Sequence, residues 1–520
     1  MHTQEPVLVQ LTQGDCVVAG STRSRFVRSS GADFGSVLIA SFVIVVAAVV
    51  CALSSSRFQH LFLIPVSLCG ILIGIDAVEW LRGRVDLYDP AGIVGLLGVH
   101  YFFVAPLLHV GWDTWMDLSP PPDWRDWLGY MGILNAAGLI LYRLARRFFK
   151  PKKNASGVLW QIDKGKFRRI LPIFVIVSAV AQTLVYARFG GISGYMESRI
   201  SSPESFVGLG WIFMISESAP ILLAFFIVVN MQQRKISWTG ASLALVVLFG
   251  VQMYFGGLRG SRSETVQLLF WVLGCIHFLI RPVPRRLVYP GFVFLIAFLY
   301  FYAFYKAMGK DAGEAITASQ EDRAYLAQQK HKTFRGLVLW DMARADLQAY
   351  ILYRLMNDGK DFDYAKGRTY LGSIAIWIPR IILPERPDTK LKEGTEIQYG
   401  SGYDPNNVSS HVYGMSAEAM LNFGPFAAPL IYGIFGLFIG WFKRAIDGLA
   451  PQDARFLLVP LGVYMCLGFL LGDSDNNAFG LAKNGLMPFL VVFLCSVRHR
   501  FRIGYRPVDD YARNAPEYAQ

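Results

Sequence analysis

The chain has 520 residues, of which 53% are hydrophobic and 17% charged, and its mean hydropathy is +0.37. Soluble globular domains are about 45–50% apolar, so this composition excludes that class and indicates an integral membrane protein. The net charge of +12 would suit a nucleic-acid-binding protein, but the basic residues are distributed over many connections between apolar segments, which argues against a nucleic-acid partner.

Twelve apolar segments are each about long enough to cross a bilayer, and each must be helical because lipid offers no partner for an unpaired peptide group. They lie at 35–53, 60–77, 91–110, 127–145, 170–187, 208–229, 238–255, 265–280, 288–306, 418–441, 456–471 and 480–497. The predicted fold class is an all-α integral membrane protein of about 12 transmembrane helices.

These segments divide the chain into five regions. They are an N-terminal tail (1–34), spans one to nine (35–306), a large loop (307–417), spans ten to twelve (418–497) and a C-terminal tail (498–520). No cleavable signal peptide is expected, because a polar tail of about thirty residues precedes the first apolar segment. The six cysteines stand singly, so neither a disulfide framework nor a zinc site is predicted.

The placement of charge predicts the orientation. Lys and Arg gather in every second connection, as at Arg143–Arg169 and at Arg281–Arg286, whereas the alternate connections, such as GWDTWMDLSPPPDWRDW and GDSDNN, are acidic or nearly neutral. The positive-inside rule then places both termini in the cytoplasm. The basic patches are explained by orientation and by contact with anionic lipids.

The turn GGLRGSRSE (256–264) falls on the outer face in this topology, where insertion gives arginine no advantage. Two guanidinium groups three positions apart repel each other unless an anion lies between them, and a phosphate or pyrophosphate fits that place. We therefore predict that Arg259 and Arg262 bind such an anion. The alternative is that they anchor at the headgroup level or pair with Glu264 or with a carboxylate of another loop.

The loop at 307–417 is long for a compact protein, and long loops usually carry function. Its segment RGLVLWDMARADLQAYILYRLMNDG has apolar residues at helical spacing and predicts an amphipathic helix that lies on the membrane or covers a cavity. The following TYLGSIAIWIPRIILPERPD is punctuated by proline and predicts a re-entrant or interfacial segment. A polar stretch then enters the tenth span as SAEAMLNFGP.

The combination of GGLRGSRSE, IPRIILPERPD and SAEAMLNFGPFAAPLIYGIFGLFIG resembles the O-antigen polymerase family (Wzy-type), also called oligosaccharide repeat-unit polymerases. The resemblance covers residues from about 170 to 500. It implies a GT-C-like, multi-span glycosyltransferase of a bacterial inner membrane. Such an enzyme transfers a glycan from undecaprenyl pyrophosphate to the end of another lipid-linked repeat unit at the periplasmic face.

The resemblance also implies partners. They are the lipid-linked glycan donor and acceptor and membrane lipids, with a chain-length regulator protein as a further candidate. No cofactor and no metal is expected, because positioned arginines can stabilise the charge that develops on a pyrophosphate leaving group.

That chemistry assigns roles to particular residues. Arg259 and Arg262 are the first choice for binding the pyrophosphate, with Arg380 and Arg386 as a second clamp unless these two only snorkel to the interface. The acceptor hydroxyl must lose a proton as it attacks, which calls for a base. His411 is the preferred base. Glu418 and Glu264 are rival catalytic carboxylates, and either could instead orient an arginine.

Several other ionisable residues were considered. Glu217 falls inside the sixth span, where a carboxylate is a functional candidate that holds an arginine, lines a cavity or forms a proton path. His100 and His109 on the third span are expected to be packed and hydrogen-bonded. Asp473 and Asp475 are expected to be solvated loop charges.

Two other functions remain open. A transporter, including a lipid-linked oligosaccharide flippase, would place charged groups near the bilayer midplane and would show two related halves. An O-antigen ligase would use the same donor with a lipid A core acceptor. A structural or sensory membrane protein is disfavoured by the long loop with clustered arginines. Whether the product is O-antigen, capsule or exopolysaccharide is left open by the sequence.

Overall fold

A computed structural model describes most of the chain and shows a largely helical protein. The described residues are 7–11, 16–19, 33–115, 119–149, 156–201, 203–206, 209–232, 237–256, 262–308, 319, 334–357, 362–378, 382–400, 411–450 and 452–503. The described residues are mostly helical (78%), and eight helices among them are long and apolar enough to cross a membrane. These features confirm an α-helical membrane protein. The count of twelve spans and the GT-C-like architecture remain predictions.

Seventeen helices of seven or more residues carry the described fold. In chain order they are α1 (Phe34–Ser54), α2 (Leu63–Leu81), α3 (Pro90–Trp112), α4 (Trp124–Arg146), α5 (Lys164–Arg188), α6 (Ile192–Ser201), α7 (Gly210–Met231), α8 (Trp238–Phe255), α9 (Arg262–Leu279), α10 (Val288–Met308), α11 (Ala345–Asn357), α12 (Arg368–Ala375), α13 (Leu391–Tyr399), α14 (Gly414–Phe423), α15 (Ala427–Asp447), α16 (Val459–Leu471) and α17 (Ser474–Cys495). The eight long apolar helices are α1 to α5, α7, α15 and α17. Helices α8, α9, α10 and α16 occupy the seventh, eighth, ninth and eleventh predicted segments.

The tenth predicted segment differs from the structure. The sequence predicts one span at 418–441, whereas α14 ends at Phe423 and α15 begins at Ala427. Gly424 adopts the left-handed region with φ +86°, which glycine enters without a steric penalty. Pro425 cannot continue a helix because it has no N–H group. Glu418 therefore belongs to a separate short helix and not to the membrane span.

Two of the long helices are interrupted next to a proline. Helix α3 widens into a π-type turn at His100–Val104, just before Pro106, whose missing N–H and bulky ring disturb the preceding turn. Helix α7 breaks at Glu217 and Ser218, two residues before Pro220. The break places Glu217 at the end of one helical segment, where its side chain can turn towards neighbouring helices.

A small antiparallel sheet was not foreseen in the sequence. Its strands are β1 (Val7–Leu11), β2 (Cys16–Ala19), β3 (Ser156–Ile162) and β4 (Ser496–Ile503), in the order β2-β1-β4-β3. The pairing brings the N-terminal tail, the α4–α5 connection and the segment after α17 to one side of the helices. These are three of the segments for which the charge pattern predicts a cytoplasmic location.

The described part of the large loop packs into the helical core. Leu347 and Ile351 of α11 and Met420 of α14 share one apolar cluster with Phe62 of the segment before α2 and Leu128 of α4. Nine of the thirteen residues of α11 are buried, polar ones included, so the helix packs within the fold and does not lie on a membrane surface. The loop is thus an integral part of the fold, and its helices fix the end of the bundle to which they are attached.

Candidate functional site

Two of the predicted anion-binding arginines lie outside the described residues. They are Arg259 and Arg380. Arg262 begins α9, but its side chain is also outside the described part of the structure. The geometry of the GGLRGSRSE arginines therefore stays a prediction. What the structure shows is the set of side chains beside this turn.

Glu217 and Glu264, which the sequence analysis selected separately, meet at a lysine. The Lys483 ammonium group forms ion pairs with the carboxylates of both residues. The three side chains come from the break in α7, the first turn of α9 and the interior of α17. The side chains of Lys483 and Glu217 are 2% and 4% exposed, so the charges are buried among the helices.

A small polar cavity adjoins this charged cluster. It has a volume of about 20 Å³, enough for about one water molecule, and it is lined by Glu217, Ser218, Ile221, Gln252, Glu264, Gln267, Leu268, Trp271 and Asn484. The Asn484 side-chain amide donates a hydrogen bond of 3.1 Å to the side-chain oxygen Oε1 of Gln267. Gln252 lies in the last turn of α8 and Glu264 in the first turn of α9, so the cavity adjoins the two helix ends that the segment with Arg259 connects in the chain.

Glu418 lies in a second polar cluster that joins α12, α14 and α17. Its carboxylate accepts hydrogen bonds from the Thr369 hydroxyl (2.9 Å), the Ser474 amide (2.7 Å) and the Ser474 hydroxyl (2.5 Å). Burial raises the pKa of this carboxyl group, and the hydrogen bonds from Ser474 and Thr369 oppose that shift. At 1% exposure, Glu418 is well placed to hold three helices together. Its catalytic role stays a prediction.

Asp473 corrects an expectation, because it is buried and not a solvated loop charge. The carboxylate is 0% exposed and accepts hydrogen bonds from the backbone N–H groups of Tyr413 (2.9 Å) and Gly414 (2.8 Å) at the start of α14. It also pairs with the Lys390 ammonium group. Burial lowers the pKa of Lys390, while Asp475 at 3.5 Å acts in the opposite direction. The large loop is thereby tied to the start of α17.

His411 and Arg386 both lie in the described part of the large loop. Both lie in segments without regular structure, and both are partly exposed. His411 stands two residues before Tyr413, whose amide binds Asp473, so the predicted base lies next to this junction in the chain. Arg386 lies between α12 and α13. Their proposed roles as base and anion clamp remain predictions.

Two cations of the large loop, the buried Lys390 and the half-buried Arg344, had no role predicted from the sequence. Arg344 donates hydrogen bonds to the carbonyl oxygens of Trp340 and Ala343, and its Nε atom has no hydrogen-bond partner within the described residues. Burial lowers its pKa. Nothing in the sequence distinguishes either residue from an ordinary surface charge, since a lysine or arginine in an external loop is usually solvated.

The two histidines of α3 contact the large loop. His100 lies 2.9 Å from the Val338 carbonyl oxygen, and His109 Nδ1 lies 2.7 Å from the Thr114 carbonyl oxygen. His109 Nε2 also lies 3.7 Å from the Asp346 carboxylate of α11. Both rings are packed and hydrogen-bonded, as expected, and they attach the loop to a helix of the bundle.

Comparison with known proteins does not place the chain in a group. No protein-family model, no characterised protein and no solved structure matches it.

Proposed function

We propose that the protein is a polysaccharide polymerase of a bacterial inner membrane. It joins oligosaccharide repeat units carried on undecaprenyl pyrophosphate at the periplasmic face, in the biosynthesis of O-antigen, capsule or exopolysaccharide. One observation carries the proposal. Glu217 and Glu264, chosen from the sequence, converge with Lys483 on a polar cavity beside the GGLRGSRSE turn.

The large loop and the Lys483 cluster are both attached to the first half of α17, which is consistent with the proposed function. Asp473, Ser474 and Glu418 tie the loop to the start of α17, and Lys483 lies nine residues further along that helix. At 1.5 Å per residue the two clusters are about 13 Å apart along the helix axis.

The proposed reaction is a single displacement that inverts the anomeric centre. The acceptor hydroxyl oxygen forms a bond to the anomeric carbon while the bond from that carbon to the pyrophosphate oxygen breaks. The hydroxyl proton passes to a base, for which His411 is the first candidate and Glu264 and Glu418 are the alternatives. Arg259 and Arg262, with Arg380 and Arg386, neutralise the leaving pyrophosphate.

The sheet supports the proposed orientation. The N-terminal strands, the α4–α5 connection and β4 can pair only if they lie on one side of the membrane. The charge pattern assigns all three to the cytoplasm. With both termini inside, the GGLRGSRSE turn and the large loop fall on the periplasmic side, where the proposed chemistry takes place.

A transporter of lipid-linked oligosaccharides is the second candidate, and two observations favour it. Helix α7 is broken at Glu217, and broken spans commonly line substrate or ion sites in transporters. The Lys483 cluster adds charges inside spans where the sequence analysis saw Glu217 alone. Such groups could carry a proton or an ion through the bundle.

The deciding experiment replaces the gene in its native host with Arg259→Ala, Arg262→Ala or Glu264→Gln versions and resolves surface glycans on a gel. A polymerase defect leaves single repeat units attached to the acceptor and removes the ladder. Complete absence of attached glycan would favour the transporter or ligase instead. Lys366→Ala is the control, because Lys366 is an exposed cation of the large loop and its replacement should leave the ladder intact.

A further inference from the structure

One face of helix α12 packs against the protein, and the opposite face is exposed. Its inner face is polar: Thr369 donates to Glu418, and the Ser373 and Ser474 hydroxyl groups lie 2.6 Å apart. Its outer face carries Leu371 and Ile374, which are 61% and 67% exposed. These two residues lie three positions apart, so they form one apolar stripe along the helix.

The apolar surface continues beyond the end of α12. Trp377, Ile378 and Ile382 are also exposed large hydrophobic residues. Contiguous apolar surface of this kind on a folded protein marks a site of contact with a partner or a membrane.

Trp377 fixes the level of this segment against a membrane-spanning helix. Its indole N–H donates a hydrogen bond of 3.0 Å to the carbonyl oxygen of Ala478 in α17. Ala478 is four residues after the first residue of α17, which corresponds to about 6 Å along the helix axis. Helix α17 has 22 residues and is about as long as the hydrocarbon core is thick. Trp377 therefore lies at the depth where tryptophan side chains anchor at the membrane interface.

The other end of the segment joins the lipid-facing surface of α15. The rings of Tyr370 and Phe423 stack with their centroids 6.4 Å apart. Phe423 and Phe426 are exposed at the hinge before α15, and Leu430 continues the exposed apolar stripe along that helix. The apolar surface thus runs without interruption from a membrane span, through the hinge, onto α12.

The described charged residue at the start of α12 is directed away from the apolar stripe. Arg368 at the start of α12 pairs with Glu393 of α13 and lies 3.4 Å from Asp388. The cation is thereby held by carboxylates of the large loop and is kept away from the apolar stripe.

We propose that residues 370–378, together with Ile382, form a ledge that is immersed in one leaflet of the membrane and contacts the acyl chains of bilayer phospholipids. The ledge does not cross the bilayer; it lies in the interface across the ends of α15 and α17. This inference does not depend on the reaction proposed above, since it concerns only which surface meets lipid.

The test places a photoreactive benzophenone amino acid at residue 374 of the full-length protein in phosphatidylethanolamine and phosphatidylglycerol vesicles. Irradiation followed by intact-protein mass spectrometry should show phospholipid adducts. Position 43 in α1, an exposed apolar residue of a long apolar helix, is the positive reference. Position 366, which is exposed and polar, is the control and should give at least tenfold fewer adducts. Adduct yield at 374 no higher than at 366, or a crosslink to a second copy of the chain, would overturn the proposal.

A second measurement covers the case in which the bulky label at 374 prevents folding. A nitroxide at Ile382→Cys should be more accessible to dissolved oxygen than to a water-soluble nickel chelate, as at Val43→Cys. If it is instead as accessible to the nickel chelate as a label at Lys366→Cys, the segment lies in water and the ledge does not exist.

Discussion

Lys483 shows how single residues of this protein depend on partners that are far away in the chain. Its ammonium group is buried in α17 and is balanced by Glu217 and Glu264, which lie more than two hundred residues earlier. Removing one member of a buried ion pair is costly because the remaining charge has no water to stabilise it. Replacing all the charged members together is usually far less destabilising.

We therefore expect Lys483→Met to lower the free energy of unfolding by about 3–5 kcal/mol. The triple variant Lys483→Met, Glu217→Gln, Glu264→Gln should recover much of that loss. Thermal unfolding in detergent, followed by size-exclusion chromatography, measures both, with the exposed Lys366→Met as the matched control. A single variant as stable as the parent protein would contradict the description of Lys483 as the buried counter-charge.

The sequence identified some of these residues but could not pair them. Glu217 stood out because a carboxylate inside an apolar segment is costly. Its contact with Lys483 depends on how α7, α9 and α17 pack, which hydropathy does not encode. Asp473 was misjudged for the same reason. The stretch GDSDNN is typical of a solvated turn, yet Lys390 and the amides at the start of α14 surround that carboxylate.

At the scale of elements, the hinge between α14 and α15 separates the site from the membrane span. Gly424 has φ +86°, a conformation that a residue with a Cβ atom adopts only with strain. A Cβ atom at this position would meet the Tyr364 ring at 3.7 Å, so there is room for it. Any cost of a substitution there comes from the backbone and not from a clash.

We expect Gly424→Ala to lower the free energy of unfolding by about 1–3 kcal/mol, because φ +86° with ψ 175° lies in a region that is essentially restricted to glycine. Gly480→Ala in α17 is the control, because no atom lies within 4 Å of the added Cβ atom and alanine favours a helix. The two variants should shift the unfolding temperature in opposite directions. Equal stability of both variants would show that the hinge does not require the left-handed conformation.

Helix positions were largely predictable because lipid imposes length and apolarity on any spanning segment. The predicted segments match the helices to within a few residues, as at 35–53 for α1 and 238–255 for α8. The tenth segment was wrong at its start, since SAEAMLNF is apolar enough to extend the span and only the Gly-Pro pair after it marks the break. Local composition could not show that α14 belongs to the loop.

At the scale of the whole molecule, the sheet connects regions that the sequence analysis treated as separate tails. Strand β4 lies between β1 and β3, so it joins the N-terminal segment to the α4–α5 connection. The strands are short and come from distant parts of the chain, and no local periodicity announces their pairing. The register between β3 and β4 is nevertheless specific, because it places Leu159 opposite His499.

We expect the double variant Leu159→Cys, His499→Cys to form a disulfide under mild oxidation, because directly opposed strand residues have the Cα separation that a disulfide requires. The pair Leu159→Cys, Arg502→Cys is the control, since Arg502 is opposite Ser156 and therefore three positions out of register. Mass spectrometry of linked peptides measures both. Equal yields from the two pairs would argue against the sheet.

The central position of β4 also has a consequence for biogenesis. Strand β4 is synthesised after all the described helices, so β1 and β3 cannot pair with it while those helices are being made. During that interval the edges of both strands are open to chaperones or to other nascent chains. Pairing with β4 then joins the N-terminal strands to the α4–α5 connection only after the described helices have been synthesised, and this pairing stabilises their arrangement.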